Sequence, residues 1–361
     1  MKNLTDPAIL FFFLGVFIGV VRSNLQIPEQ VAKFLSLYLL MALGFKGGQA
    51  LGDTGLSGDA MKVIGAALLL AVLTPLLGFA ILRKRVNAFD AAAIAATYGS
   101  VSAVTFATAS NFVADRGDEV GGYLTVALVV MESPAIIMAV LLATWVRTRP
   151  QPMLADEPVG STVGAAIATR DSRTIVPEAD HASGQRPADE GGHGSGAPLS
   201  VKEVLREAFT DGAHLLLIGS MVVGIISGAE GGTMMQPFVG DLFKGLLAFF
   251  LLEMGLLVAR QLREVRDVGP FLVGFGLLIP FVNASIAMLL GTILDMSVGD
   301  LTLLAVLAAS GSYIVVPAVV RYAIPEARPS RYFTLALGIT FPLNVTLGIP
   351  IYHAVAEALV G

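Results

Sequence analysis

Ten apolar stretches, separated by segments that hold nearly all of the charge, constrain this chain more than any other feature. They run roughly over 7–22, 30–51, 61–82, 90–113 and 121–146, and then over 212–228, 239–260, 269–293, 300–321 and 331–358. An α-helix needs about 20 apolar residues to cross ~30 Å of hydrocarbon, and only the first and sixth stretches are short by that measure. Of the 361 residues, 55% are hydrophobic and 14% charged, where soluble chains carry about 25% charged residues. The expected fold class is therefore an all-α polytopic membrane protein with ten transmembrane helices. The apolar run after Lys2 has no small-residue cleavage site behind it and reads as a retained first span.

The stretches fall into two sets of five. The first fills 1–146 and the second 212–361. Between them, 147–211 is rich in Pro, Gly, Ser, Asp and Glu, lacks apolar periodicity and reads as a disordered linker. Its last part, Leu199–Phe209, has the pattern of a short amphipathic helix at the membrane surface. Arg22, the run Arg83, Lys84 and Arg85, Arg147, and the basic residues around 260–266 and 321–331 all fall on one side. The other side receives Lys2, Lys62 and Arg116. By the positive-inside rule the linker is cytoplasmic and both termini are external, in a plasma (inner) membrane with the lipid bilayer as constant partner.

The two sets repeat. Tyr123-Leu124-Thr125-Val126-Ala127-Leu128 matches Tyr332-Phe333-Thr334-Leu335-Ala336-Leu337 at an offset of 209. Asp90 matches Asp300, and Ser100-Val101-Ser102 matches Ser310-Gly311-Ser312, at 210; Leu43-Gly44 matches Met254-Gly255 at 211, and Pro75 matches Pro280 at 205. Matches in sequence order at four nearby offsets argue for a duplication. Five is an odd number, so the halves enter the membrane in opposite directions, an arrangement characteristic of secondary transporters.

Within the fourth and ninth stretches, Gly99, Ser100, Ser102 and Ala103, and then Ser310, Gly311 and Ser312, put small and hydroxyl residues at mid-membrane. There a helix can be interrupted, provided that the irregular backbone lines a cavity or is buried in protein. Each second half-helix would then start at mid-membrane. Its free N–H groups and partial positive charge, converging from both sides, form a site for a small anion. No Lys or Arg lies near either break. The alternative is that these small residues serve only close helix packing.

Glu132, in Met131-Glu132-Ser133-Pro134, is a carboxylate mid-way along the fifth stretch. Intramembrane carboxylates are costly and usually functional, so Glu132 is a candidate to bind Na⁺ or carry a proton; Asn344 and Thr346 are polar candidates in the corresponding part of the second half. Glu253 is a second ion or proton site, or else pairs across a subunit interface. Lys46 reads as snorkelling, and His214 and His353, near stretch ends, as interfacial. The chain has no cysteine, no HExxH, no Walker loop, no nucleotide fingerprint and no Ser-His-Asp order. No catalytic residue, cofactor or nucleic-acid partner is expected, and the chain is not read as an enzyme.

The segments Leu39 to Gly48, Gly99 to Thr105, Met131-Glu132-Ser133-Pro134-Ala135 and Leu307 to Ser312, with the two five-span halves and the long linker, resemble the sodium-dependent bicarbonate transporters of the cyanobacterial carbon-concentrating mechanism and their bacterial relatives. The resemblance implies Na⁺-coupled bicarbonate uptake by alternating access, a homotrimer, and a PII-like regulator on the cytoplasmic face. It places the anion between the interrupted helices; Ser102, Thr105, Glu132, Tyr313 and Glu253 are the candidate ion-coupling residues of this chain. The chain departs from the cyanobacterial pattern at Ala103-Val104 (a Gly-Ser pair there), Gly311 (Ser), Tyr313 (Asp) and Glu132 (Asp). Two other readings fit the same residues: a proton-coupled carrier of another small solute such as a monocarboxylate, and a non-transporting anion-binding receptor or scaffold. On the transporter reading, Ser102→Ala and Ser310→Ala each abolish uptake while trimers still assemble; normal uptake in both variants would contradict the site.

Overall fold

The structure is a computed structural model that describes residues 5–55, 57–148, 212–313 and 315–360. Most of the linker, with the expected helix at Leu199–Phe209, lies outside the described residues. Those described form helices and no strands: α1 (Pro7–Val20), α2 (Glu29–Thr54), α3 (Gly58–Leu82), α4 (Ala88–Gly99), α5 (Ala103–Ala114) and α6 (Tyr123–Arg147). After the linker come α7 (Gly212–Gln236), which runs through a π-turn at Pro237–Asp241 into α8 (Leu242–Gln261), then the short α9 (Val265–Val268). The rest are α10 (Pro270–Ile293), α11 (Val298–Ala309), α12 (Val315–Ala323) and α13 (Pro329–Val360).

Seven of these helical stretches are long and apolar enough to cross a membrane, and α1 and α11 are shorter apolar helices. The expected sixth and seventh stretches both lie in the helical segment Gly212–Gln261, which is two helices meeting at a kink at the end of the expected sixth stretch. Its only sharp turn is at Gly228, at φ +54° and ψ −158°, a conformation that glycine takes without a steric penalty. The Gly228 carbonyl accepts a hydrogen bond from Gln49 Nε2 at 3.0 Å.

Helix starts follow local chemistry. The Asp6 side chain accepts from the Ala8 amide at 2.8 Å, ahead of Pro7 in the first turn of α1. Ser57, Asn87 and Ser297 cap α3, α4 and α11 in the same way, each supplying an oxygen to an amide with no intrahelical partner.

Two helix pairs make the most extensive contacts, α2 with α7 and α1 with α8. Both are glycine seams. A Cβ on Gly44 would press on the Leu217 carbonyl, one on Gly48 on the Met221 carbonyl, and one on Gly224 on the Phe45 carbonyl. In the other pair, a Cβ on Gly15 would overlap the Leu252 carbonyl and one on Gly255 the Phe12 carbonyl. Apolar side chains gain nothing by leaving lipid tails, so close backbone approach at small residues carries helix association here.

The last helix, α13, contains two π-helical stretches, Thr334–Thr340 and Asn344–Gly348, on either side of Pro342. Proline has no N–H to give the helical ladder, and wide turns of this kind re-aim side chains. Here they turn Thr340 and Asn344 toward the two breaks. His353, expected at the interface, is 4% exposed and bonded to Asp118 at 2.7 Å.

The seams yield a test of the packing. Gly48→Leu and Gly255→Leu should each destabilise the protein by about 1–3 kcal/mol, the usual range for overpacking. Gly65→Ala, where a Cβ meets open space, should be neutral or mildly stabilising. Thermal unfolding in detergent reads the difference.

Candidate functional site

The two breaks are where the sequence places them. Helix α4 stops at Gly99, Ser100 and Ser102 are extended, and α5 starts at Ala103. Helix α11 stops at Ala309, Ser310 is extended, and α12 starts at Val315. Gly99 is required by a neighbour: a Cβ there would lie 2.8 Å from the ring of Pro75, inside α3.

Matched contacts hold both broken helices. Buried Asp90, in the first turn of α4, accepts from the Arg328 amide at 2.8 Å and from Arg331 Nη1 at 2.9 Å, at the start of α13. Buried Asp300, in the first turn of α11, accepts from the Gly121 amide at 2.8 Å and from the Tyr123 hydroxyl, at the start of α6. The ends of α6 and α13 are matched too. Arg147 forms a two-pronged bond with Glu326, at 3.0 and 2.8 Å, while His353 meets Asp118. The Arg147 guanidinium holds the Glu326 carboxyl below the usual carboxylate range.

The breaks touch. The Ser102 amide donates to Ser310 Oγ at 3.0 Å, and the Ser312 amide donates to the Thr97 carbonyl at 2.9 Å. Ser310 Oγ donates in turn to the Leu307 carbonyl at 3.0 Å. Asn344, fully buried on α13, donates from Nδ2 to the Ala309 carbonyl at 2.9 Å, which the end of α11 leaves without a helical partner. The Tyr98 hydroxyl bonds Thr340 Oγ1 at 2.6 Å, and Thr340 donates to the Gly276 carbonyl at 2.8 Å. Irregular backbone at this depth is thus bonded almost wholly within the protein.

What remains unbonded faces a cavity. Ser102 Oγ caps α5 by accepting from the Thr105 amide at 3.2 Å and lies 2.9 Å from Thr105 Oγ1. The Phe106 amide reaches the Ser102 carbonyl at 3.0 Å. That leaves the amides of Ala103 and Val104, in the first turn of α5, without an acceptor among the described residues, as the geometry of a helix start dictates. Both residues line a cavity of about 60 Å³ with Ser102, Ser312, Tyr313, Glu132 and His214, closed by Leu39, Leu40 and Leu43 of α2 and Leu217 of α7. One water needs about 10–15 Å³ on this measure, so a small polyatomic anion fits.

Glu132 and His214 bond to each other across the cavity wall, from α6 to α7, with side chains 11% and 7% exposed. The sequence reading of His214 as interfacial is corrected: it is buried beside the breaks, and its partner is a residue of the other half. Such a pair is tolerated because each member compensates the other; removing one leaves a buried group unpaired.

Of the expected site residues, Ser102, Ala103, Ser312, Tyr313 and Glu132 line the cavity. Gly99, Ser100, Ser310, Gly311 and Thr105 stand behind it and shape the breaks. Ser100 Oγ is buried with no hydrogen-bond partner. Glu253, on α8, does not line the cavity; it is 9% exposed and its Oε2 has no partner among the described residues. Tyr313 packs edge-on to Phe341 at 5.7 Å, with its hydroxyl 4.0 Å from Met254 Sδ. Sequence reasoning expected free amides at the start of each second half-helix and missed the pairing of His214 with Glu132. The signal for the amides was the Ser102-Ala103-Val104-Thr105 cap; for His214 there was only its place at the start of an apolar helix.

No curated protein matches the chain. The family model described as the Na⁺-dependent bicarbonate transporter superfamily matches residues 7–357, nearly the whole length. The chain belongs to the Na⁺-dependent bicarbonate transporter superfamily.

Proposed function

We propose that the protein is a secondary active transporter that takes up a small anion, bicarbonate first among them, with Na⁺ as cosubstrate. The observation that carries the reading is the cavity at the breaks, where two unbonded amides, two serine hydroxyls and a buried Glu–His pair meet in a space of about 60 Å³. The Ala103 and Val104 amides and the α5 dipole attract the anion, while Ser102 and Ser312 bond its oxygens. With no Lys or Arg in the lining, binding stays weak enough for release.

Among the described residues no three His, Asp or Glu side chains gather as a metal site. The cation is assigned to oxygen donors at the cavity, the Glu132 carboxylate with the Ser102 and Tyr313 hydroxyls that line it and Thr105 behind Ser102. Glu132 and His214 sit on helices of different halves. If the breaks move relative to the α2–α7 pair, the two part, and Glu132 then needs another partner. Occupation by Na⁺ supplies one, which ties movement to the cation. A proton would serve as well, so a proton-coupled carrier is the second reading, favoured by the same pair. Glu253 remains a candidate for a second coupling site.

The proposed architecture is ten membrane spans in two inverted halves, with both termini external and the linker cytoplasmic. The matched bonds of Asp90 and Asp300 support it, as do the matched seams α1–α8 and α2–α7. The homotrimer and the PII-like regulator belong to the same reading and rest on family resemblance alone.

Uptake of radiolabelled bicarbonate into proteoliposomes should follow an inward Na⁺ gradient and accumulate against the bicarbonate gradient. Accumulation driven by a pH gradient with no Na⁺ would favour the second reading, and none under either gradient would leave a binding protein. Glu132→Gln should cut uptake by at least tenfold and remove its dependence on the cation gradient. His214→Ala alone should destabilise the protein by about 3–5 kcal/mol, since it strands a buried carboxylate. Adding Glu132→Gln should restore much of that loss in thermal unfolding.

A further inference from the structure

The transport reading leaves unused a second cavity, of about 340 Å³, where α1 and α8 end side by side. Its lining includes Arg22, Arg260 and Arg263, with Gly19, Leu25 and Leu256. Each guanidinium carries five N–H donors and no acceptor. Among the described residues one contact consumes any of them: Arg263 Nη2 donates to the Gly19 carbonyl at 3.3 Å. Among the described residues none of the three forms an ion pair, and Glu264, next to Arg263, is within 3.4 Å of Thr334 Oγ1 instead.

Basic residues at helix ends commonly do no more than offset the carbonyl dipole and set topology. Arg22 goes further. The amide of Ser23 bonds the Ile18 carbonyl at 3.2 Å and that of Arg22 bonds the Gly19 carbonyl at 3.3 Å, which closes α1 in a Schellman turn. The residue at this place takes a left-handed conformation and is usually glycine. Arg22 holds it at φ +61°. A strained backbone is retained where the side chain is needed, and here the side chain lines the basic cavity.

We infer that this cavity binds the phosphate of an anionic phospholipid. A phosphodiester matches the fork geometry of converging guanidiniums, and basic pockets between membrane helices hold such headgroups. The surroundings select the lipid over a free phosphate ion. Next to Arg22 on α1, Phe17, Val20 and Val21 are 64%, 58% and 60% exposed, and Leu25 in the cavity is 41% exposed. An acyl chain running from the headgroup covers that strip.

The test is native mass spectrometry of the full-length chain released from detergent that contains equal amounts of phosphatidylglycerol and phosphatidylcholine. Wild type should retain phosphatidylglycerol over phosphatidylcholine by about tenfold or more, and Arg22→Gly and Arg263→Ala should each reduce that ratio roughly fivefold. Arg22→Gly also relieves the left-handed backbone, so its thermal stability in phosphatidylcholine should equal or exceed that of wild type. Arg83→Ala, at another basic helix end, should leave the ratio unchanged. Equal retention of the two lipids by wild type, an unchanged ratio in both cavity variants, or an equal drop in Arg83→Ala would overturn the assignment. Displacement of bound phosphatidylglycerol by millimolar inorganic phosphate would overturn it in favour of a soluble anion.

Discussion

A helix broken at the centre of a bilayer exposes backbone groups where no water can reach them, and here each break satisfies the other. The Ser102 amide rests on Ser310 Oγ and the Ser312 amide on the Thr97 carbonyl. Leaving a buried donor without an acceptor costs about 1–3 kcal/mol, so neither interruption is stable without its counterpart. Asn344 and Thr340 complete the exchange from α13, whose wide turns around Pro342 bring them to the breaks. What this mutual arrangement leaves over is the pair of amides at Ala103 and Val104, on residues that line the cavity.

The breaks could be read in the sequence because their chemistry is local. Ser102 is a helix cap whether or not its surroundings are known, and Gly99 and Gly311 are small wherever they pack. The membrane class was equally legible, since it depends on composition and segment length. The role of Ser310 was not: its hydroxyl, expected at the substrate, is spent between the Ser102 amide and the Leu307 carbonyl. Nor was the partner of Glu132, because His214 lies 82 positions away and only the packing of α6 near α7 brings them together. The kink between the sixth and seventh stretches falls at Gly228, where the sixth was expected to end, while the helix beyond it begins before the expected seventh stretch.

Two kinds of contact divide the labour. Glycine seams bring α1 against α8 and α2 against α7 along their backbones, with little chemistry that could switch. Around the breaks the contacts are polar and matched in pairs, Asp90 with Asp300 and Arg147–Glu326 with His353–Asp118. The cavity lies where the two regions meet, walled by α2 and α7 on one side and by the breaks on the other. Glu132–His214 is the polar bond that crosses this boundary beside the cavity.

The matched bonds also bear on how the chain is made. Asp90 waits for Arg331, 241 positions later, and the Ser102 amide waits for Ser310, 208 positions later. Gly15 and Gly44 likewise meet their helices only in the second half. A ribosome delivers the first half to the bilayer long before any of these partners exists. In that interval the first broken helix carries an unpaired aspartate and an open backbone. Loop closure over such distances is slow, so the half-made protein is the stage most exposed to misassembly and proteolysis, and the long linker sets how long that stage lasts.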